Sequence, residues 1–271
     1  MRNWYKYTLK EKKINISDRF EYTDFQLIED HKNFKENYNF DIFKNNEQGI
    51  KTYEYLKKNL QNQETFFIGS SWGWLEFFLS KDFKLIASDI NEKYISYHKT
   101  NSNLNYIKYD ILNENFNDKL KFNFDQIVIN NIEYLFDNSQ MQIALKNISK
   151  LTNINSSIFL IFRSKDSYVI NLIDNFFIPL ENFLIKIVKR LLGKKLFLTK
   201  NHHGFRRNES EMLNIINNNN FVIKSIYKDM YETEYKRLRI FKFLKISKLL
   251  SFIFFKQHSH LNIIQFKKVL N

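Results

Sequence analysis

The sequence predicts a doubly wound α/β fold on a mostly parallel seven-stranded sheet whose last strand runs antiparallel. Three observations predict it. Short apolar runs alternate with amphipathic helical stretches from residue 47 to residue 163, the pattern of βα units laid on a parallel sheet. The runs are continuously apolar, as strands buried on both faces require. The residues just past them are small, acidic or amide-bearing, and an open α/β sheet binds ligands beyond the carboxyl ends of its strands.

Composition sets the outer limits. Hydrophobic residues are 44% of the 271 and aromatics 17%, too apolar a mixture for a disordered chain. Without cysteine there is no disulfide framework, thiol nucleophile or thiolate metal site. The chain is poor in Gly (5) and Pro (1) and rich in Asn and Lys, so an Asn or Lys cluster by itself carries little information. The opening MRNWYKYTLKEKK lacks the apolar core of a secretory signal. No uncharged apolar stretch reaches the roughly 18 residues of a membrane span. A cytoplasmic protein is the expectation, with a peripheral place at the inner membrane face as its variant.

Taken in order, residues 1–46 are aromatic and polar and are read as an N-terminal arm or lid, with a helix best placed at 23–34. The main domain is expected over 47–271. Ile50, Tyr53, Leu56 and Leu60 recur at helical spacing and predict a helix over 47–60. Residues 65–68 make the first strand, 69–73 a tight turn and 72–79 a helix. A second strand over 84–88 ends at Asp89, and a helix follows over 91–100. The third strand is 104–108, with Asp110 just past it. The fourth is 125–129, followed by Asn130 and Asn131. A helix over 139–151, with Ser139 as its N-cap, precedes the fifth strand at 156–162. A helix at 209–218 and strands at 221–228 and 261–269 complete the sheet, the last two free to pair antiparallel.

Two stretches break the alternation and are read as helical insertions, at about 165–208 and 230–258, that form a cap. The first is amphipathic after Pro179, with Phe183, Leu184, Ile187, Val188 and Leu191 on one side and Lys186, Lys189 and Arg190 on the other. The second, RLRIFKFLKISKLLSFIFF from Arg237 to Phe255, is basic and strongly apolar. Charge follows the same division: residues 1–164 hold 22 Lys+Arg against 21 Asp+Glu, whereas residues 165–271 hold 20 against 8. An excess of that kind in one region points to an anionic partner. The segments are candidates either for an anionic membrane surface or for a lid over the acceptor pocket. Nucleic acid ranks below both, since no RNA-binding module is present.

The chemistry collects at successive strand ends. Gly69, Ser70, Ser71 and Gly73 follow the first strand, Asp89 and Ile90 the second, Asp110 and Ile111 the third, and Asn130 the fourth. A tight small-residue turn allows backbone to approach a nucleoside ligand, and an acid at the next strand end accepts from ribose hydroxyls. The turn lacks the Gly-Lys-Ser/Thr of a phosphate loop, and dinucleotide binding survives as a weaker alternative.

With TFFIGSSWG, LIASDINEKY, YIKYDILN and FDQIVINNIEYL in that order, residues 47–163 and the closing strand pair resemble the class I S-adenosylmethionine (SAM)-dependent methyltransferases. The resemblance implies SAM as cofactor. It implies that the 69–73 turn embraces the cofactor, that Asp89 holds its ribose, that Asp110 and Ile111 hold its adenine, and that Asn130 lies beside its methionine part. The sequence departs from the family at Ser71, where the middle glycine of the turn is expected. It departs again at Phe67, where an acid usually helps bind the cofactor's amino group. Asn130, Asp125 or a backbone carbonyl is left to take that role.

Methyl transfer needs proximity and orientation, and a base only when the acceptor is a poor nucleophile. His202 and His203 are the candidate catalytic bases, with Arg206 and Arg207 beside them as candidate binders of a carboxylate or phosphate. With His258 and His260 the histidines do not make ligand spacing for a metal, so none is expected. The expected reaction is O-methylation of a small-molecule, sugar or lipid-linked acceptor. The alternatives are a non-catalytic binding protein on the same fold and a membrane-surface protein using its basic helices.

Overall fold

A computed structural model describes residues 40–44, 46–113, 123–167, 171–193, 205–229 and 261–269. The predicted helix at 23–34, His202, His203 and the insertion around 230–258 lie outside the described residues.

In chain order the elements are α1 (Phe40–Lys44), α2 (Glu47–Asn59), β1 (Thr65–Ile68), α3 (Trp74–Leu79), β2 (Leu85–Asp89), α4 (Glu92–Asn101), β3 (Tyr106–Lys108), β4 (Phe124–Asn130), α5 (Asn138–Leu151), β5 (Thr152–Arg163), α6 (Ile178–Leu192), α7 (Glu209–Asn217), β6 (Phe221–Asp229) and β7 (Leu261–Lys268). A 3₁₀ turn over Glu133–Leu135 follows β4, and a π turn over Ile173–Phe177 leads into α6.

The seven strands form one sheet in the order β3-β2-β1-β4-β5-β7-β6. β1 to β5 run parallel, and β7 runs antiparallel between β5 and β6. The chain leaves β1 toward β2 and β3, then returns to β4 on the other side, so strand order reverses between β1 and β4. Carboxyl ends flanking such a reversal open a crevice.

Period-two alternation within β1 sends its side chains to two cores. Phe66 and Ile68 join one with Ile127, Ile129, Ile158 and Leu160, under α5 and α7. Phe67 joins the other with Ala87, Val128 and Phe159, under α1 to α4. The rings of Phe40 and Phe43 in α1 pack against Phe78 at centroid distances of 4.9 and 5.0 Å. These contacts tie α1 to α3.

Boundaries moved where local chemistry offered rivals. α3 begins at Trp74, because Gly73 is its left-handed N-cap (φ 64°). α5 is capped by Asp137, not Ser139: Asp137 accepts from the Gln140 backbone N–H at 2.8 Å while Gln140 accepts from that of Asp137. This reciprocal capping box satisfies two donors at once. β5 starts at Thr152, four residues earlier than the apolar run suggests, where pairing with β4 takes over directly from α5. Pro179 follows directly on the π turn, within a run that is helical from residue 171 onward. α6 leaves Phe183 and Leu191 exposed.

Candidate functional site

A cavity of about 490 Å³ opens at the carboxyl ends of β1 and β4. That lies within the few-hundred to roughly 1,000 Å³ range of small-molecule sites. Gly69, Ser70, Ser71, Gly73, Asp89, Ile90, Asp110, Ile111 and Asn130 all line it, so residues from four separate strand-end loops meet around one space. The N-terminal half of α2 closes another side with Gln48, Gly49 and Thr52.

The turn after β1 is wound through three left-handed residues, Gly69 (φ 82°), Ser71 (φ 49°) and Gly73 (φ 64°). Gly69 is required twice over: a Cβ there would stand 2.2 Å from Ile132 Cγ2, where the turn touches the loop after β4. Ser71 adopts the conformation that the missing middle glycine would have supplied, at the steric cost a Cβ brings to this region. Other groups hold it there. The Ser71 N–H donates to Asp89 Oδ2 at 3.0 Å, and its carbonyl accepts from the Tyr106 hydroxyl at 2.8 Å. His98, stacked on Tyr106, is kept neutral by burial, which pushes its pKa down to about 4.

Asp89 therefore has a structural duty as well as a place in the cavity. Its other oxygen, Oδ1, accepts from the Asn91 N–H at 3.1 Å, pinning the start of α4. Asp110 Oδ1 accepts from the Leu112 N–H at 3.0 Å, and the Ile111 carbonyl accepts from Asn147 of α5 at 2.9 Å. Asn130 Oδ1 accepts from the Asn131 side chain at 3.0 Å.

Phe67 points into the core and does not line the cavity. Asp125 does not line it either. It lies near the amino end of β4, five residues before Asn130 and so about 16 Å of strand away. An acid does reach the cavity from elsewhere. Glu76 of α3 lines it, has 0% exposure, and has no hydrogen-bond partner on either carboxyl oxygen. Burial pushes its pKa up to about 7 against the pull of its own backbone N–H and of the nearby Ser70 and Asn130 side chains, which stand outside full hydrogen-bond geometry, and the charge of Asp89 adds to the rise. Glu133, after β4, is a second buried carboxyl lining the cavity. Burial raises it to about 7 as well, against the opposing pull of Arg207 and Arg163.

The two neighbouring arginines part company. Arg206 lines the cavity; it pairs with Asp174 at 3.2 Å, while its Nε and one terminal nitrogen are buried without a hydrogen-bond partner. Arg207 does not line the cavity. Its guanidinium donates to Asn138 Oδ1 (2.9 Å), the Glu133 carbonyl (3.0 Å) and the Phe136 carbonyl (2.6 Å), riveting the loop after β4 to the start of α5. At the end of β5, Arg163 lines the cavity and donates to Gln48 of α2 at 2.7 Å.

Glu76, Glu133, Arg163 and Gln48 were not singled out in the sequence. Glu76 did leave a trace, as the one charge in the otherwise apolar helix WLEFFL. No group of residues among those described has the makings of a metal site.

This architecture has counterparts among solved structures. The chain resembles a SAM-dependent methyltransferase from Methanosarcina mazei at 14% identity, with 80% of this chain and 98% of that one covered and a TM-score of 0.51. A SAM-dependent methyltransferase from Archaeoglobus fulgidus matches at 17% identity over 81% and 94% of the two chains, TM-score 0.52. A TehB-like SAM-dependent methyltransferase from Corynebacterium glutamicum matches at 13% identity over 80% and 86%, TM-score 0.50. No protein-family model matches the sequence, and no curated protein does. At these identities the likeness is one of fold. The chain has the Rossmann-like α/β fold of the class I SAM-dependent methyltransferases.

Proposed function

We propose that the protein is a SAM-dependent methyltransferase acting on a small acceptor that carries an anionic group. The observation that carries the reading is the convergence of nine residues, from the loops after β1 to β4, on one cavity at the strand-order reversal. SAM, when bound, supplies an electrophilic methyl group and leaves with the electron pair on sulfur. The chain's own part is to bind, orient and exclude water. In this reading Asp89, which lines the cavity, accepts from the ribose hydroxyls. Asp110 and Ile111 flank the adenine, and the 69–73 turn and Asn130 run beside the amino-acid portion. Arg206, with two buried nitrogens unserved, holds the acceptor's carboxylate or phosphate. His202 or His203 is the proposed base for a hydroxyl acceptor.

Calorimetric titration with SAM and S-adenosylhomocysteine tests this directly. Micromolar to sub-millimolar binding is expected, and absence of binding at millimolar ligand would leave a methyltransferase fold without the activity. A lipid-linked acceptor is the second reading, favoured by the exposed Phe183 and Leu191 on α6 beside Lys186, Lys189 and Arg190. It requires co-sedimentation with anionic vesicles at low salt, and loss of that binding in a variant with Phe183 and Leu191 changed to Ser.

A further inference from the structure

We propose that Glu76 is the counter-anion for the primary ammonium of the bound adenosyl amino acid, supplied from α3 in place of an acid on β1. The inference rests on the methyltransferase reading and adds to it the residue that selects the amino-acid end of the ligand. Three observations converge on this carboxyl. It lines the cavity beside Ser70 and Asn130, at the point where β1 and β4 end. It is fully buried, and no donor meets hydrogen-bond geometry with either oxygen. Finally, among the described residues no cation acts on it: the charged group that does is Asp89, another anion.

Glu133 is set against Arg207 and Arg163, and His98, against Gly73, is held neutral by burial. A buried carboxylate without a partner is costly, and removing that cost takes either a proton or a cation that carries donors. An ammonium brings three N–H donors. A sulfonium brings none, so of the two cationic centres on SAM the ammonium is the one that satisfies both empty oxygens.

The test uses three ligands on the full chain. S-adenosylhomocysteine keeps the ammonium and lacks the sulfonium, whereas 5′-methylthioadenosine lacks the whole amino-acid end. Glu76→Gln is expected to weaken SAM and S-adenosylhomocysteine alike, by about 10- to 100-fold, and to leave 5′-methylthioadenosine unchanged. Equal loss of all three ligands, or of none, overturns the assignment. Loss of SAM alone overturns it too, since that would place the carboxylate against the sulfonium. If the wild-type chain binds none of the three, the methyltransferase reading falls first and this one with it.

A second measurement needs no variant. Calorimetry of the wild type in two buffers of different ionisation enthalpy, near pH 7, is expected to show proton release on binding S-adenosylhomocysteine and none on binding 5′-methylthioadenosine. Equal proton counts for the two ligands would overturn the proposal.

Discussion

Two of the segments that wall the cavity, the turn and helix α3 after β1 and the loop after β4, each carry a buried glutamate whose pKa is pushed up to about 7. The acidities match, but the surroundings do not. Glu133 sits among cations from the chain itself, Arg207 and Arg163, and burial outweighs both of them. Glu76 has no such cation among the described residues, and neither of its oxygens has a partner in hydrogen-bond geometry. In one loop the protein supplies the counter-charge and gains a rivet; in the other it leaves the charge open toward a cavity. The difference separates a group that holds the site's shape from one that is ready for a ligand.

The largest break in that comparison comes from Arg207→Ala. Three hydrogen bonds vanish and Glu133 loses a buried cation, so a stability loss of about 3 to 5 kcal/mol is expected by denaturant melts. Ligand binding falls only as the loop after β4 loosens. A result below 1 kcal/mol would show that Arg207 is not the rivet.

Next is the point where the two loops touch. Gly69→Ala forces a Cβ onto Ile132 and a side chain into positive φ, at a combined cost of about 3 kcal/mol. Gly69→Ala with Ile132→Ala is expected to recover the overpacking part and to keep the φ penalty. If the double variant recovers everything, the conformational part is absent.

Glu76→Gln sharpens the comparison through pH. The folded pKa of about 7 lies above the ordinary carboxyl value of 4.5. The unfolded chain therefore releases this proton first, and stability declines as pH rises from about 4.5 to about 7. Replacing the carboxyl removes that decline. Thermal melts of the ligand-free protein are expected to favour the variant by up to about 3 kcal/mol at pH 8 and to show no difference at pH 4. A variant less stable than wild type at pH 8 would mean that Glu76 holds the fold together. The smallest effect is expected from Ser71→Gly. Relief of the positive φ is offset by glycine's greater freedom in the unfolded chain, leaving a change within about 1 kcal/mol.

The part of this design that was legible in the sequence follows from local rules. Asp89 and Asp110 stand out because an acid that ends an apolar run sits at a strand's carboxyl end, and the strand alternation puts those ends together. The arginine pair was legible only as a pair. Which of the two enters the cavity is decided by the backbone around them, where the Phe205 N–H donates to the Tyr134 carbonyl and the Lys165 N–H to the Arg207 carbonyl. No spacing rule encodes those long-range contacts. Asp137 and Ser139 show the same limit on a smaller scale: both are good N-caps, and the reciprocal bond with Gln140 selects one.

The sequence by itself determined the alternation of strands and helices and the order in which polar groups arrive at the strand ends, because the periodicity of apolar residues dictates burial element by element, whereas the strand order that puts the reversal between β1 and β4 came from the tertiary structure. Only the tertiary structure decided where the missing acid went. An acid in the first turn of a helix reads locally as a solvated side chain matched to the helix dipole. Glu76 becomes a buried, unpaired carboxyl because α3 packs against the sheet beneath α1 and α2, and that burial is a property of the assembled layers rather than of the six residues WLEFFL.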